Sequence, residues 1–131
     1  HLDRIIDETG VAPVLNQIEL HPRMQQTTMR AENKKRGVRT QSGTPLGGGA
    51  AFDSPIIQTI AARTGKTPAQ IVLRWHMQIG ASAIPRSARE TRLAENIDVF
   101  DFDLTASEMD TISALDTATR LGPNPLDFEG F

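Results

Sequence analysis

Three short apolar or β-branched segments, each separated from the next by helical sequence, constrain the fold more than any other feature of this chain. They are VAPVLNQIELHP (11–22), VRTQS (38–42) and ASAIP (81–85). A polar helical pattern ended by Gly37 lies between the first two, and two further helical patterns precede the third. Strands joined by helical crossovers pair in parallel, and a parallel sheet needs helices on its faces. The sequence therefore predicts an α/β fold in which three strands are visible and the first is buried.

Capping sequences predict where several helices begin. T-x-x-Q, S-x-x-E and T-x-x-E patterns have the spacing of a capping box, and a Ser-Pro pair has the form of an N-cap followed by proline. These helix starts are Ser54-Pro55, Thr67 to Gln70, Ser87 to Glu90 and Thr105 to Glu108. In the second of these helices, Ile71, Trp75 and residues 77–79 are predicted to lie in the core.

Composition excludes several classes of protein and of site. The 131 residues are enough for one domain. A formal net charge of −2 argues against a general nucleic-acid binder. The absence of cysteine excludes disulfides, thiolate catalysis and cysteine-based zinc sites. Apolar runs fall short of the roughly 18 residues that span a bilayer, and no leader pattern is present. We therefore expect a cytoplasmic protein with neither a nucleic-acid nor a membrane partner.

The stretch AIPRSARETRLAEN (83–96) directs positive charge at the predicted start of a helix that follows a strand. Free amides and the helix dipole at such a start attract an anion. Arg86, Arg89 and Arg92 surround it, and guanidinium forks make paired, charge-assisted hydrogen bonds to phosphate. The alternative is a solvated helix face in which these arginines pair with Glu90 and Glu95. The position at the carboxyl end of a parallel strand favours the phosphate site.

Other polar residues carry weaker signals. The glycine-rich loop at 43–53 contains PLGGG, whose amides could surround a phosphate. Gln17 lies within an otherwise apolar strand, so its amide is expected to brace a loop or to meet a ligand. His21 and His76 are expected to be structural, because no metal-ligand spacing involves them.

Four segments together resemble the aldo-keto reductases, in particular the bacterial enzymes of the 2,5-diketo-D-gluconic acid reductase kind. The segments are HLDRIIDETGVAPVLNQIELHP, PLGGG, GKTPAQIVLRWHMQIG and IPRSARETRLAENIDVFDFDLTASEMDTI. The resemblance runs through nearly the whole chain, with the motifs in order. It implies a (β/α)8 barrel that binds NADPH in an extended form, without a Rossmann domain. This chain resembles the part from roughly helix 5 through strand 8, with the C-terminal helix and loop.

The resemblance also implies a set of NADPH contacts that runs from the nicotinamide end of the cofactor to the adenine end. They are Gln17 at the carboxamide; Thr44, Leu46 and Gly47 at the pyrophosphate; Arg86, Ser87 and Arg92 at the 2′-phosphate; Ala88 and Arg89 beside the adenosine; and Glu95 and Asn96 at the adenine.

The sequence departs from the family pattern at important positions. The family usually has lysine where Arg86 stands, and an aromatic ring against the nicotinamide where Gly43 stands. The family's catalytic aspartate, tyrosine, lysine and histidine lie in the first half of the barrel, and this chain contains no tyrosine. We therefore expect no catalytic residue and no metal ligand within residues 1–131.

The expected function belongs to an intact protein of which residues 1–131 are the C-terminal part of one barrel domain. That protein is expected to reduce a small aldehyde or ketone with NADPH, with residues 120–131 forming a substrate loop. Three strands leave two open sheet edges, so we expect the chain to need the missing N-terminal half or self-association. Two alternatives stay open: a non-catalytic NADP(H)-binding or interaction module built on a truncated barrel, and a binder of another phosphorylated metabolite.

Overall fold

The computed structural model of the chain describes residues 1–127. Within these residues, six α-helices and three β-strands follow one another in the predicted alternation. Their bounds are α1 Leu2–Thr9, β1 Leu15–Glu19, α2 Thr27–Lys35, β2 Arg39–Gly43, α3 Pro55–Thr64, α4 Pro68–Gln78, β3 Ser82–Ala83, α5 Glu90–Ile97 and α6 Ala106–Ser113, with a 3₁₀ turn at Gly47–Gly49 after β2.

The strands form a parallel sheet in the order β1-β2-β3, which confirms the predicted α/β class. β1 and β2 pair over five residues, from Leu15 opposite Arg39 to Glu19 opposite Gly43. The first strand is thus shorter than the predicted 11–22. Pro13 lies in the part that does not pair, where it has no amide hydrogen to donate to a ladder.

The two faces of the sheet differ in their surroundings. On one face Asn16 donates to Asn33 Oδ1 of α2 at 3.0 Å, and Asn33 donates to Thr40 Oγ1 of β2 at 2.9 Å. On the other face, Gln17 is exposed and Leu15 keeps 41% of its surface accessible. The prediction that the first strand is buried is therefore wrong, because within residues 1–127 helices cover only one of its faces.

The core lies between the covered face of the sheet and helices α3, α4 and α6. Ile71 and Trp75 of α4 are completely buried, as predicted. Met77, however, is 38% exposed, and Gln78 is also exposed. Met77 borders an open groove between α4, β3 and α5, and the amide of Gln78 bonds the backbone of Leu104. The prediction of a core position therefore holds only for Ile79, which packs against the core.

Two of the three predicted capping boxes form. The Thr67 and Thr105 hydroxyls accept from the amides of Gln70 and Glu108, and both return bonds are present. The Ser87 capping box is wrong, because α5 begins at Glu90. The Ser87 hydroxyl instead bonds the backbone of Arg89, which is extended (φ −103°, ψ 126°). This local turn competes with helix formation and delays the start of α5.

A matched pair of substitutions tests the capping geometry. Thr105→Ala removes a hydroxyl that accepts the Glu108 amide at 3.1 Å, so we expect the free energy of unfolding to fall by about 1 kcal/mol. Ser54→Ala is the control, because Ser54 precedes α3 without a side-chain capping bond; its expected change is below about 0.5 kcal/mol. Urea unfolding measures both values. Equal losses in the two variants would contradict the assignment.

Apolar side chains are exposed at both edges of the sheet. Val14 is 80% exposed beside β1. On the β3 side, Leu93, Ile97 and Phe100 are exposed along a groove of about 820 Å³ that also borders β3 and α4. No helix within residues 1–127 is both long and apolar enough to cross a bilayer.

The chain after α6 has no helix or strand through residue 127, as predicted for this part of the loop at 120–131. Glu19, at the end of β1, accepts from the amides of Leu121 at 2.6 Å and Gly122 at 2.9 Å. The last four residues of the predicted substrate loop, 128–131, lie outside the described residues.

Candidate functional site

A cleft of about 960 Å³ opens at the carboxyl ends of the strands. β1 contributes Gln17, the end of β2 and the loop after it contribute residues 42–46, 48 and 49, and the segment after β3 contributes residues 84–86. The exit of a parallel strand is the usual ligand position in α/β proteins, because loops and helix starts meet there. The volume of the cleft is within the usual range for small-molecule sites.

Seven of the predicted cofactor residues come together in this cleft, although they belong to separate segments of the chain. They are Gln17, Thr44, Leu46, Arg86, Arg92, Glu95 and Asn96. Four others do not line it, namely Gly47, Ser87, Ala88 and Arg89. The individual contacts of all these residues with a cofactor stay predictions.

Gln17 has a different environment from the one the sequence suggested. The expectation of a buried amide is wrong, because the residue is exposed on the open face of the sheet. Its side chain borders the cleft, so the amide is available to a ligand there. A Cβ on Gly43 would approach Gln17 Cγ at 3.8 Å, so the glycine leaves the space beside this amide open.

The glycine-rich loop lies directly on His21. Thr44 has φ +52° and Gly47 has φ +57°. A Cβ built on Gly47 would lie 2.9 Å from the imidazole of His21, closer than real Cβ contacts. The imidazole is itself buried and contacts Glu19 Oε1 through Nε2 at 3.0 Å. Glycine is therefore required at position 47 both for the backbone angle and for space.

The cationic side of the cleft is formed by exposed arginines. Arg86 follows β3, and Arg92 lies in the first turn of α5. Within residues 1–127, Arg86, Arg89 and Arg92 make no ion pair, so pairing with Glu90 or Glu95 is wrong for the described chain. The carboxylate of Glu95 instead accepts from the Thr67 hydroxyl at 2.5 Å.

Arg89 does not join Arg92 on one face of the helix. It occupies the N-cap of α5 in an extended conformation and is exposed to solvent outside the cleft. Of the three arginines predicted to surround the helix start, Arg89 is therefore the one that does not line the cleft. The described cationic pair of the cleft is Arg86 with Arg92.

Gln70 fixes the position of α5 and was not recognised from the sequence in this role. Its Nε2 donates to the carbonyls of Glu95 and Asp98, both at 3.0 Å, while its Oε1 completes the capping box of α4. Thus one side chain holds α5 against α4. The T-x-x-Q pattern identified the cap but carries no information on a partner 25 residues away.

The cleft combines two chemistries at separate strands. Arg86 lies beyond β3, and Gln17 lies on β1, two strand spacings or about 10 Å across the sheet. An elongated ligand that has a phosphate at one end and an amide at the other fits this arrangement. Among residues 1–127 no group of three or more acidic or histidine side chains could hold a metal ion.

Comparison with known proteins identifies relatives of the chain. The sequence profile of the aldo/keto reductase family matches residues 1–117. Methylglyoxal reductase DkgA of Escherichia coli K12 is 52% identical over 132 aligned positions, which cover 99% of this chain and 48% of the relative. An aldo-keto reductase of Mycolicibacterium smegmatis is 46% identical over 98% of this chain and 46% of its own length. This chain spans about half the length of the curated relatives it matches.

A solved structure is also similar. A mutant of the protein Gox0644, crystallised in complex with NADPH, superposes with a TM-score of 0.95 at 46% identity. The match covers 99% of this chain and 48% of the solved one.

Proposed function

Since this chain belongs to the aldo/keto reductase family, we propose that residues 1–131 are the C-terminal, NADPH-binding part of a single reductase barrel. They correspond in this proposal to the region from roughly helix 5 through strand 8, with the C-terminal helix and loop. The whole protein reduces a small aldehyde or ketone to an alcohol. The similarity to a methylglyoxal reductase and to an NADPH complex supports this choice.

One observation carries the proposal: the cleft gathers an open amide, a glycine-rich loop and two arginines without ion pairs in residues 1–127. In the proposed complex, Gln17 hydrogen-bonds the carboxamide and the loop at Thr44 and Leu46 covers the pyrophosphate. Arg86 and Arg92 hold the 2′-phosphate. Gly47 acts by letting the loop rest on His21.

The two arginines account for a preference between dinucleotides. NADPH carries a 2′-phosphate that NADH lacks, and guanidinium groups bind such a group through paired charge-assisted hydrogen bonds. Arg86 and Arg92 are exposed, so solvent screens part of their attraction. Arg86 at the exit of β3 and Arg92 in the first turn of α5 nevertheless both line the cleft.

The catalytic groups lie outside this chain in the proposal. When bound, NADPH would supply the hydride that reduces the carbonyl carbon, and the carbonyl oxygen would need a proton from a protein acid. The family's tyrosine has no counterpart in residues 1–131, because the chain contains none. The residues of this chain bind and orient the cofactor, and the rest of the barrel supplies the acid.

Open apolar surface supports the partial-barrel proposal. β1 and β3 are both edge strands, and the groove beside β3 is bordered by Leu93, Ile97 and Phe100. Unpaired edges and exposed apolar patches are typical of surfaces that another segment covers. The curated relatives have about twice the aligned length, so we propose that the remaining half of the barrel covers these edges.

A second candidate follows from the same open edges. In it the chain is a non-catalytic NADP(H)-binding module that covers its edges by association with a second copy. Both candidates require NADPH binding, but only the first requires a complementary half for activity. A sedimentation measurement of the 131-residue chain distinguishes them, because the module predicts a discrete oligomer.

Titration of the 131-residue chain with NADPH and NADH by calorimetry tests the proposed function. We expect NADPH to bind at least about 100-fold more tightly, since Arg86 and Arg92 each supply about a factor of ten through charge-assisted bonds. With methylglyoxal as the carbonyl compound, we expect no turnover above the rate without protein. Equal affinities would contradict the cofactor assignment, and turnover at an enzyme-like rate would contradict the absence of catalytic residues.

A further inference from the structure

A second buried histidine, His76 of α4, lies beneath the start of the glycine-rich loop. It is completely buried. Its Nε2 lies 2.8 Å from the carbonyl oxygen of Pro45, and its Nδ1 lies 2.9 Å from the hydroxyl of Ser42 at the end of β2. One imidazole thus joins α4, β2 and the loop.

The partners determine where the protons lie. A carbonyl oxygen only accepts, so Nε2 carries the hydrogen and donates to Pro45; Nδ1 then accepts from Ser42. Burial lowers the pKa of His76 to about 4, so the ring is neutral at physiological pH. The indole of Trp75 meets the imidazole edge-on, with ring centroids 4.7 Å apart, and helps to fix its orientation.

The hydrogen bond from His76 to Pro45 lies beside a residue of the loop that has an unfavourable backbone angle. Pro45 lies between Thr44, which has φ +52°, and Leu46, and all three line the cleft. A non-glycine residue in the left-handed region is strained, so surrounding contacts must hold it. The buried ring of His76 holds the carbonyl of Pro45, which is the residue next to Thr44.

We propose that His76 is a positioning residue, which holds the glycine-rich loop in the shape that receives the phosphates of the ligand. The proposal rests on the proposed function for the identity of that ligand. The sequence analysis did not connect this histidine with the glycine-rich loop. Its partners Ser42 and Pro45 lie 34 and 31 residues away from it along the chain. Its effect reaches the ligand only through residues 44–46.

Two polar substitutions of His76 test the two hydrogen bonds of its ring one at a time. His76→Gln keeps an N–H donor at the position of Nε2 and can still bond Pro45. His76→Asn is shorter, reaches only the position of Nδ1, and loses the Pro45 bond. The first readout is hydrogen exchange of the amides of Gly47 and Gly49, which bond to Thr44 at 2.8 Å and Leu46 at 2.9 Å.

We expect His76→Asn to raise the exchange rates of these loop amides about tenfold and His76→Gln to raise them by less than about threefold. By calorimetry, the Asn variant weakens NADPH binding about tenfold. Its affinity for adenosine 2′-monophosphate stays unchanged, because that ligand uses Arg86 and Arg92 and not the loop.

Several results overturn the proposal. The first is equal exchange rates of the loop amides in the Asn and Gln variants. The second is an increase of the exchange rates in β2 and α4 as large as the increase in the loop, because it would assign His76 a structural role only. Ser42→Ala provides a milder change if the Asn variant fails to fold; it is expected to raise loop exchange about two- to threefold, and no change refutes the proposal. If the unmodified chain binds no NADPH, the proposed function fails, while loop exchange still decides the role of His76.

Discussion

Replacing Arg86 and Arg92 together by alanine is expected to reduce the preference for NADPH over NADH by about 100-fold. Each arginine contributes about one factor of ten, the lower end for a charge-assisted hydrogen bond, because both side chains are exposed to solvent. The affinity for NADH should stay within about twofold, since NADH lacks the phosphate that these arginines hold. Calorimetric titration of both dinucleotides measures the ratio.

Three further variants make this experiment specific. Arg4→Ala removes an exposed arginine of α1 that pairs with Glu8, away from the cleft, and should leave both affinities unchanged. Arg86→Lys restores the family's usual residue and should retain most of the preference. Arg89→Ala decides between the resemblance, which places Arg89 beside the adenosine, and the structure, in which it does not line the cleft. An unchanged preference in the double variant would refute the cationic site.

Substituting alanine for Gly47 is expected to be far more damaging than the same change at Gly48. Both residues have positive φ, +57° and +60°, so both variants lose about 1–2 kcal/mol. At Gly47 the new methyl group also meets three atoms of His21 at 2.9, 3.0 and 3.2 Å, whereas at Gly48 nothing lies within 4 Å. Overpacking of this kind adds about 1–3 kcal/mol.

The measured quantities are the free energy of unfolding in urea and the dissociation constant of NADPH. We expect Gly47→Ala to weaken NADPH binding at least about tenfold more than Gly48→Ala. The added methyl group at position 47 forces the loop to move away from His21. Gly48→Ala is the matched control for the backbone angle. If the two variants weaken NADPH binding by the same factor, the contact between the loop and His21 does not position the loop.

Local signals in the sequence predicted most of the elements. Thr67 and Thr105 identified two helix starts because each capping box is complete within four residues. Gly10 and Gly65 end helices in the left-handed conformation, where glycine is favoured. The Ser87 box failed because its hydroxyl found a nearer partner in the backbone of Arg89. An S-x-x-E pattern alone does not reveal that competition.

The site was predictable only in part. The resemblance identified seven residues that line the cleft, but burial was wrong for Gln17 because a strand sequence does not show how many faces are covered. The roles of Gln70 and His76 depend on partners 25 to 34 residues away. No spacing rule along one helix reaches such partners.

By itself the sequence determined the helix boundaries at Thr67 and Thr105, the parallel α/β class, and the family to which the chain belongs. The helix boundaries and the class depend on backbone angles, periodicity and short-range hydrogen bonds, which act between neighbouring residues, whereas the family was identified from the resemblance of whole motifs. Only the tertiary structure decided that Gln17 faces an open cleft, that Arg92 and not Arg89 accompanies Arg86, and that two buried histidines support one glycine loop. Those facts depend on which surfaces meet when separate elements pack, and that packing joins residues whose separation along the chain carries no local signal.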